Sequence, residues 1–136
     1  MREIEFRGKS MGWHWVYGLL TKKKIRSSGK LEYAIANDDF SLANTVPIHK
    51  ETIGQFTGFR DIDDEKIFED DFIQNVNFPE LIYVVKMLDD GTWSGVLIDN
   101  EDEDSLLSWL LAIAPFKIIG NIHDNHELLK GGKNND

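Results

Sequence analysis

Between Leu81 and Ile98 the chain reads LIYVVKMLDDGTWSGVLI: two runs of β-branched and aromatic residues joined by an aspartate-glycine pair. Both turn residues tolerate positive φ, so the segment predicts an antiparallel hairpin with strands over 81–88 and 92–98. A tight hairpin commits a chain to antiparallel pairing, and the rest of the sequence must supply strands that cover its apolar face.

The other segments repeat this pattern. Ile4 and Phe6 alternate with charged residues, Gly8 to Gly12 reads as a turn, and Trp13 to Leu20 restarts the alternation, with Trp13, Trp15 and Tyr17 on one face. A polar run through Ser27, Ser28 and Gly29 marks a second turn before a strand with Leu31, Tyr33 and Ile35. From Asn37 to Lys50 the pattern fades into a loop, and Pro47 argues against a central strand there. A short extended QFTG piece, a turn at DIDDE, Ile67-Phe68 and a strand over 72–76 precede the hairpin. After it come an acidic loop over 99–104, a short helix capped by Asp104 and stopped by Pro115, and a last strand with Phe116, Ile118 and Ile119. Asn121 to Asn125 turns, His126 to Lys130 makes at most one helical turn, and residues 131–136 form a disordered tail. The class is mainly β with minor helix: an antiparallel sheet closed on itself, or a small sandwich.

A length of 136 residues and 41% apolar composition suit one domain with one core, expected to unfold as a cooperative unit. The chain has no cysteine, which excludes disulfides and thiolate metal sites. No secretory signal and no membrane-length apolar run occurs, so the expected location is the cytoplasm, with no membrane partner. The 24 acidic against 15 basic side chains give a net charge of −9, which disfavours binding to a nucleic-acid backbone. The basic run Lys22, Lys23, Lys24 and Arg26 reads as a solvated edge or hairpin end.

The stretch ETIGQFTGFRDIDDEKIFEDDFI, residues 51–73, adds a family to this picture. Thr52, Gly54, Gln55, Phe56, Thr57, Gly58 and Asp61, then Lys66, Ile67, Glu69, Asp71 and Ile73, match in order two motif blocks of the YopX family of phage and prophage proteins. Ile4, Phe6 and Arg7, then Trp15 to Gly18, match its opening, and Ile119, Gly120, Asn121, Ile122 and Asn125 match its close. The chain departs from the family pattern at two turns: Asp63-Asp64 stands for Asn-Gly, and Asp70 for glycine. If the second position needs positive φ, Asp70 takes a conformation that costs a non-glycine residue something. The resemblance implies one domain over 1–130, with a small SH3-like barrel over roughly 65–125 and the N-terminal strands packed beside it. It implies an origin in a phage or prophage of a bacterial host, and no activity.

Candidate chemistry is sparse. The acidic cluster from Asp61 to Asp71 lacks the glycine and glutamate that a calcium loop needs at its sixth and twelfth positions, where Lys66 and Phe72 stand. His123 and His126 are too few for zinc without His14 or His49. No nucleophile-base pair or phosphate-binding glycine loop occurs, so no enzyme, metal or cofactor is expected. Aromatic side chains are the better functional clue. Trp15, Tyr17 and Phe56 are assigned to packing, whereas Trp13, Phe59 and Trp93, near turns, are expected to be exposed binding anchors. Gly54, Gly58 and Gly120 are read as backbone devices, Gln55 and Asn121 as buried amides, and Asp71 as a backbone acceptor. The expected function is a non-enzymatic protein-interaction module, with self-association as one partner class. The alternative is an acidic decoy that presents carboxylates in place of nucleic-acid phosphates.

Overall fold

The computed structural model describes residues 3–36 and 45–131. Ten strands and two short helices follow one another: β1 (Phe6–Ser10), β2 (Trp15–Lys24), β3 (Leu31–Ala36), β4 (Thr45–Arg60), β5 (Lys66–Phe68), β6 (Asp71–Asn75), β7 (Ile82–Met87), β8 (Trp93–Leu97), β9 (Asp104–Leu106), α1 (Leu107–Ile113), β10 (Phe116–Asn121) and α2 (Glu127–Gly131). The class is mainly β with minor helix, as the alternation predicts. The chain divides into two compact units, Met1–Phe56 and Thr57–Asp136, and β4 runs from the first into the second.

In the first unit β1 pairs with β2, β2 with β3, β3 with β4, and β4 returns to β1, so four antiparallel strands close a barrel. Closure gives each strand a neighbour on both sides over the barrel itself, which an isolated hairpin cannot do. Ala34, Ile35, Ala36, Ile48 and Phe56 are buried in this unit. Gly8 lets the strands approach, since a Cβ there would lie 2.6 Å from Ile48 Cδ1. The β1–β4 register jumps between Arg7 opposite Gly54 and Lys9 opposite His49. Thr52, 1% exposed, fills that irregularity: its hydroxyl donates to His49 O (2.6 Å) and accepts from Lys9 N (2.7 Å).

The second unit holds an antiparallel sheet in the order β10-β6-β7-β8-β9, in which the last strand lies beside the first of the set. Its core joins Ile67, Ile73, Tyr83, Val85, Leu107, Leu110 and Phe116, with Tyr83 and Phe116 edge to face at 5.8 Å. Burying each such side chain contributes on the order of 1.5–3 kcal/mol. The hairpin forms as predicted, but Gly91 alone takes positive φ (88°). Asp90 instead accepts hydrogen bonds from the Thr92 amide (3.0 Å) and hydroxyl (2.6 Å).

Several local expectations are corrected. β1 runs through Gly8 to Ser10, and it buries Arg7 and Lys9 while Ile4 precedes the strand and is exposed. Of the expected loop 37–50, residues 37–44 lie outside the described residues, and Thr45 onward is strand. Pro47 sits in β4 where the strand passes from its β3 partner to its β1 partner at Ile48, a handover that needs fewer ladder bonds. Asp104 belongs to β9 and does not cap α1, whose first cap position is Leu106 with no side-chain bond. The tail expected over 131–136 falls, from residue 132 on, outside the described residues.

Asp61, buried near the end of β4, holds the turn to β5. Its Oδ1 accepts from Asp63 N and Glu65 N, both at 2.9 Å, and its Oδ2 accepts from Ile118 N on β10 at 2.9 Å. Hydrogen bonds to a charged acceptor contribute about 1.5–3 kcal/mol each and are not additive. Asp61→Ala is therefore expected to lower unfolding stability by roughly 3 kcal/mol in urea denaturation; a loss under about 1 kcal/mol would mean that water replaces the carboxylate.

Candidate interaction surfaces

Trp13 occupies the β1–β2 turn, which is closed by Trp13 N donating to Ser10 O (2.8 Å) and Ser10 N donating to His14 O (2.9 Å). Its φ of +67° is unusual for a bulky side chain and costs on the order of 1 kcal/mol or more. Cation–ring contacts offset part of that. Lys9 Nζ lies 5.5 Å from the Trp13 ring centre and 4.6 Å from that of Trp15, and Arg7 Cζ lies 4.4 Å over Trp15. The Trp13 ring also meets His49 edge-on at 5.1 Å. Arg7 and Lys9 share a face because they are two residues apart on β1, and Trp15 and Tyr17 face them because they are their register partners. Trp13 is 47% exposed at the end of this row.

Tyr17, assigned to packing, is exposed, whereas Trp15 is half-buried and Phe56 buried. Phe59 and Trp93, expected to be exposed, are half-buried and pack against the core of the second unit. For Trp93 the reason is strand parity. Gly95 faces that core, with a Cβ there only 2.7 Å from Leu110 Cδ1, so Trp93 and Leu97, two residues to either side, face it too. Nearness to a turn does not override the side on which a strand residue points.

Two exposed aromatic residues that sequence reasoning missed are Phe78 and Trp109, 58% and 56% exposed. Leu107 and Leu110 bury one side of α1, while Leu106, Trp109 and Ile113, spaced three and four apart, are 49%, 56% and 56% exposed. In SLLSWLLAI apolar residues occupy both sides of a seven-residue helix, so the usual amphipathic contrast is missing from the sequence. Backbone bonds bring further exposed apolar residues to the following strand: Ile62 N donates to Phe116 O and Val76 N to Pro115 O, each at 2.9 Å.

In the acidic cluster from Asp61 to Asp71, Asp61, Asp70 and Asp71 are directed inward while Asp63, Asp64 and Glu65 are exposed. Asp71 Oδ2 accepts from Phe68 N (2.8 Å), and Asp61 serves the three amides above. Asp70, 7% exposed, stands at φ +75°, and Asp64 at φ +65°, so both aspartates that replace a family glycine take left-handed backbone. Asp70 Oδ1 accepts from Lys86 Nζ at 2.7 Å, and Oδ2 lies 3.3 Å from His123 Nε2. The Asp70 backbone accepts from Ile122 N and donates to Val85 O. His123 is thereby engaged with Asp70, and among the described residues no group of three metal-ligating side chains converges. Asn121 turns the chain after β10, its Oδ1 accepting from His123 N (3.0 Å) and Asp124 N (2.9 Å). Glu69 is half-buried, Gln55 half-buried, Gly54 buried, and Gly58 takes φ +89°. Thr57 donates to Ile67 O at 2.8 Å.

Burial works to raise the Asp70 carboxyl, and the hydrogen bonds and positive charge of His123 and Lys86 outweigh it, leaving the group below its ordinary value of 3.8. A depressed carboxyl contributes stability that is present above the unfolded value and is lost as pH falls through the folded one. Lys86 is 43% exposed, so its share is partly screened. Asp70→Ala is expected to cost about 2 kcal/mol at neutral pH, and Asp70→Gly about 1 kcal/mol less, because glycine accepts φ +75° without strain. The gap between parent and Asp70→Ala should narrow below pH 3.8. Equal losses for Ala and Gly in denaturant titrations would show that the backbone is unstrained.

Among the described residues no helix is long and apolar enough to cross a membrane. No curated protein matches the sequence. The crystal structure of protein EF1440 from Enterococcus faecalis superimposes with a TM-score of 0.59 at 21% identity, over 95% of this chain and 99% of that one, which is a likeness of fold. The model of the YopX protein family matches residues 5–130, nearly the whole chain, in agreement with the motif blocks around Thr52–Asp61 and Gly120–Asn121, and the chain belongs to the YopX family.

Proposed function

We propose that this YopX protein is a phage- or prophage-encoded, non-enzymatic interaction module that works in the bacterial cytoplasm and docks a protein partner through exposed apolar side chains. The observation that carries this reading is the outer row of α1, where Trp109 and Ile113, with Leu106 at the cap position before them, face solvent on a helix whose other side is locked into the core. A tryptophan on a rigid element loses little side-chain entropy on binding and contributes a large contact area, which is why such residues anchor interfaces. Trp13, held by Lys9 and His49, supplies a second rigid aromatic group in the first unit.

The acidic-decoy reading retains one supporting observation, the exposed turn residues Asp63, Asp64 and Glu65 together with Asp99, Glu101, Asp102, Glu103 and Asp104. It is weakened because Asp61, Asp70 and Asp71 spend their carboxylates on internal hydrogen bonds and do not present phosphate-like charge.

Trp109→Ser with Ile113→Ser is expected to reduce capture of a partner from host lysate by roughly thirtyfold at high salt, the loss of about 2 kcal/mol typical of a buried anchor. Stability should change by less than about 0.5 kcal/mol, as for exposed positions. By contrast, Trp93→Ala should destabilise the fold itself by about 3 kcal/mol or somewhat less, given its half-burial. Capture that survives the α1 changes but disappears on reversing Glu101, Asp102 and Asp104 would favour the decoy.

A further inference from the structure

The charge of −9 is unevenly shared. Residues 1–56 carry nine Lys and Arg against six Asp and Glu, whereas residues 57–136 carry six against eighteen, so the first unit is net +3 and the second net −12. Within the first unit the cations concentrate on one feature, the far end of β2 and β3.

That end is a two-stranded ribbon. β1 pairs with β2 only as far as Gly18, and β4 pairs with β3 only from Ala34, while β2 and β3 continue together from Lys22 opposite Tyr33 to Lys24 opposite Leu31. Among the described residues, the stretch from Lys22 to Tyr33 therefore has no third strand on either side, and about 10 Å of ladder plus its turn stands clear. The turn is firmly built: Ile25 N donates to Lys30 O (2.8 Å), Gly29 N donates to Ile25 O (2.7 Å), and Gly29 takes φ +71°.

The ribbon has a basic side and a compensated side. Register puts Lys22, Lys24, Leu31 and Tyr33 on one face, with Lys22 Nζ 5.2 Å over the Tyr33 ring, and Lys23 opposite Glu32 on the other. Arg26 and Lys30 stand exposed at the turn. Among the described residues no carboxylate is within ion-pair distance of Lys22, Lys24, Arg26 or Lys30.

We propose that the β2–β3 ribbon is a docking element for duplex DNA, entering the major groove end-on while Lys22, Lys24, Arg26 and Lys30 contact phosphates. A B-form major groove is about 12 Å wide and admits a two-stranded ribbon, whereas the deep, narrow major groove of duplex RNA does not. The whole-chain charge does not govern this contact, because at physiological salt charges are screened over about 8 Å and a projecting element answers mainly to its own surroundings. The competing explanation is that the lysines merely protect two open sheet edges from pairing with other chains. An edge guard needs charge but no particular polyanion, so the two readings separate by experiment.

Fluorescence anisotropy with the full chain and a labelled duplex DNA of about 20 base pairs, titrated with salt, provides the test. Four phosphate contacts predict a slope of log K against log salt near −3.6, from about −0.9 per contact. Lys24→Gln with Arg26→Gln should flatten the slope by about 1.8 and weaken binding at least tenfold near 0.1 M salt. Lys117→Gln, an exposed lysine of the second unit, should leave both unchanged. Absence of binding at 50 mM salt, equal binding to duplex RNA or to an acidic polypeptide, or ribbon variants that bind like the parent but lose solubility would each overturn the proposal.

Discussion

The second unit depends on a carboxylate that sequence alone presents as surface charge. Asp61 gathers three backbone amides from two places, the turn that follows it and Ile118 on β10. Without cysteines, loops between short strands must be tied by some other means, and an amide donor left unpaired in a buried turn would cost about 1–3 kcal/mol. Asp71 on Phe68 N, Asn75 on the amides of Asn77 and Phe78, and Asn121 on those of His123 and Asp124 do the same work at other strand ends. The family blocks are thus rich in Asp, Asn, Thr and Gly because they form the corners of the sheet.

Asp70 extends this logic to a strained position. A left-handed backbone favours glycine, yet the side chain here reaches both Lys86 on β7 and His123 beyond β10, and its main chain bonds Val85 and Ile122. One residue therefore links the start of β6 to two other strands. The strain is local and modest, and the contacts that accompany it are spread across the sheet. Glycine would relieve the first and forfeit the second.

What could be read from the residues follows from period. The hairpin over 81–98, the strands around Leu31, Phe72 and Phe116, and the stop at Pro115 all rest on alternation or on a turn residue with one strong preference, and all are present. The reading failed where two partners share one strand. β4 serves β3, β1 and β5 along sixteen residues, so its apolar pattern changes phase and resembles a loop around Pro47. It failed again on β1, where Arg7 and Lys9 are buried under aromatic rings and the apolar-inward rule inverts. Trp93 lies near a turn, yet strand parity points it at the core against which Phe59 also packs, and Trp109 gives no sequence signal because its helix is apolar on both sides.

Trp109 alone among these residues faces outward, and an outward face is what a sequence records least. Burial patterns record what a chain does to its own core, and a surface made for another molecule leaves no such record. In this protein the two kinds of outward surface are also chemically separate. The first unit is net positive and ends in a ribbon where, among the described residues, Lys22, Lys24, Arg26 and Lys30 meet no carboxylate, while the second is strongly acidic, turns Asp61, Asp70 and Asp71 inward and leaves an apolar row along α1. Charge on the second unit thus repels other acidic surfaces in general, and close docking there must come from apolar contact, which salt does not weaken. Contact at the ribbon has the opposite signature, since screening removes it. Salt dependence therefore separates the two surfaces without any change to the sequence.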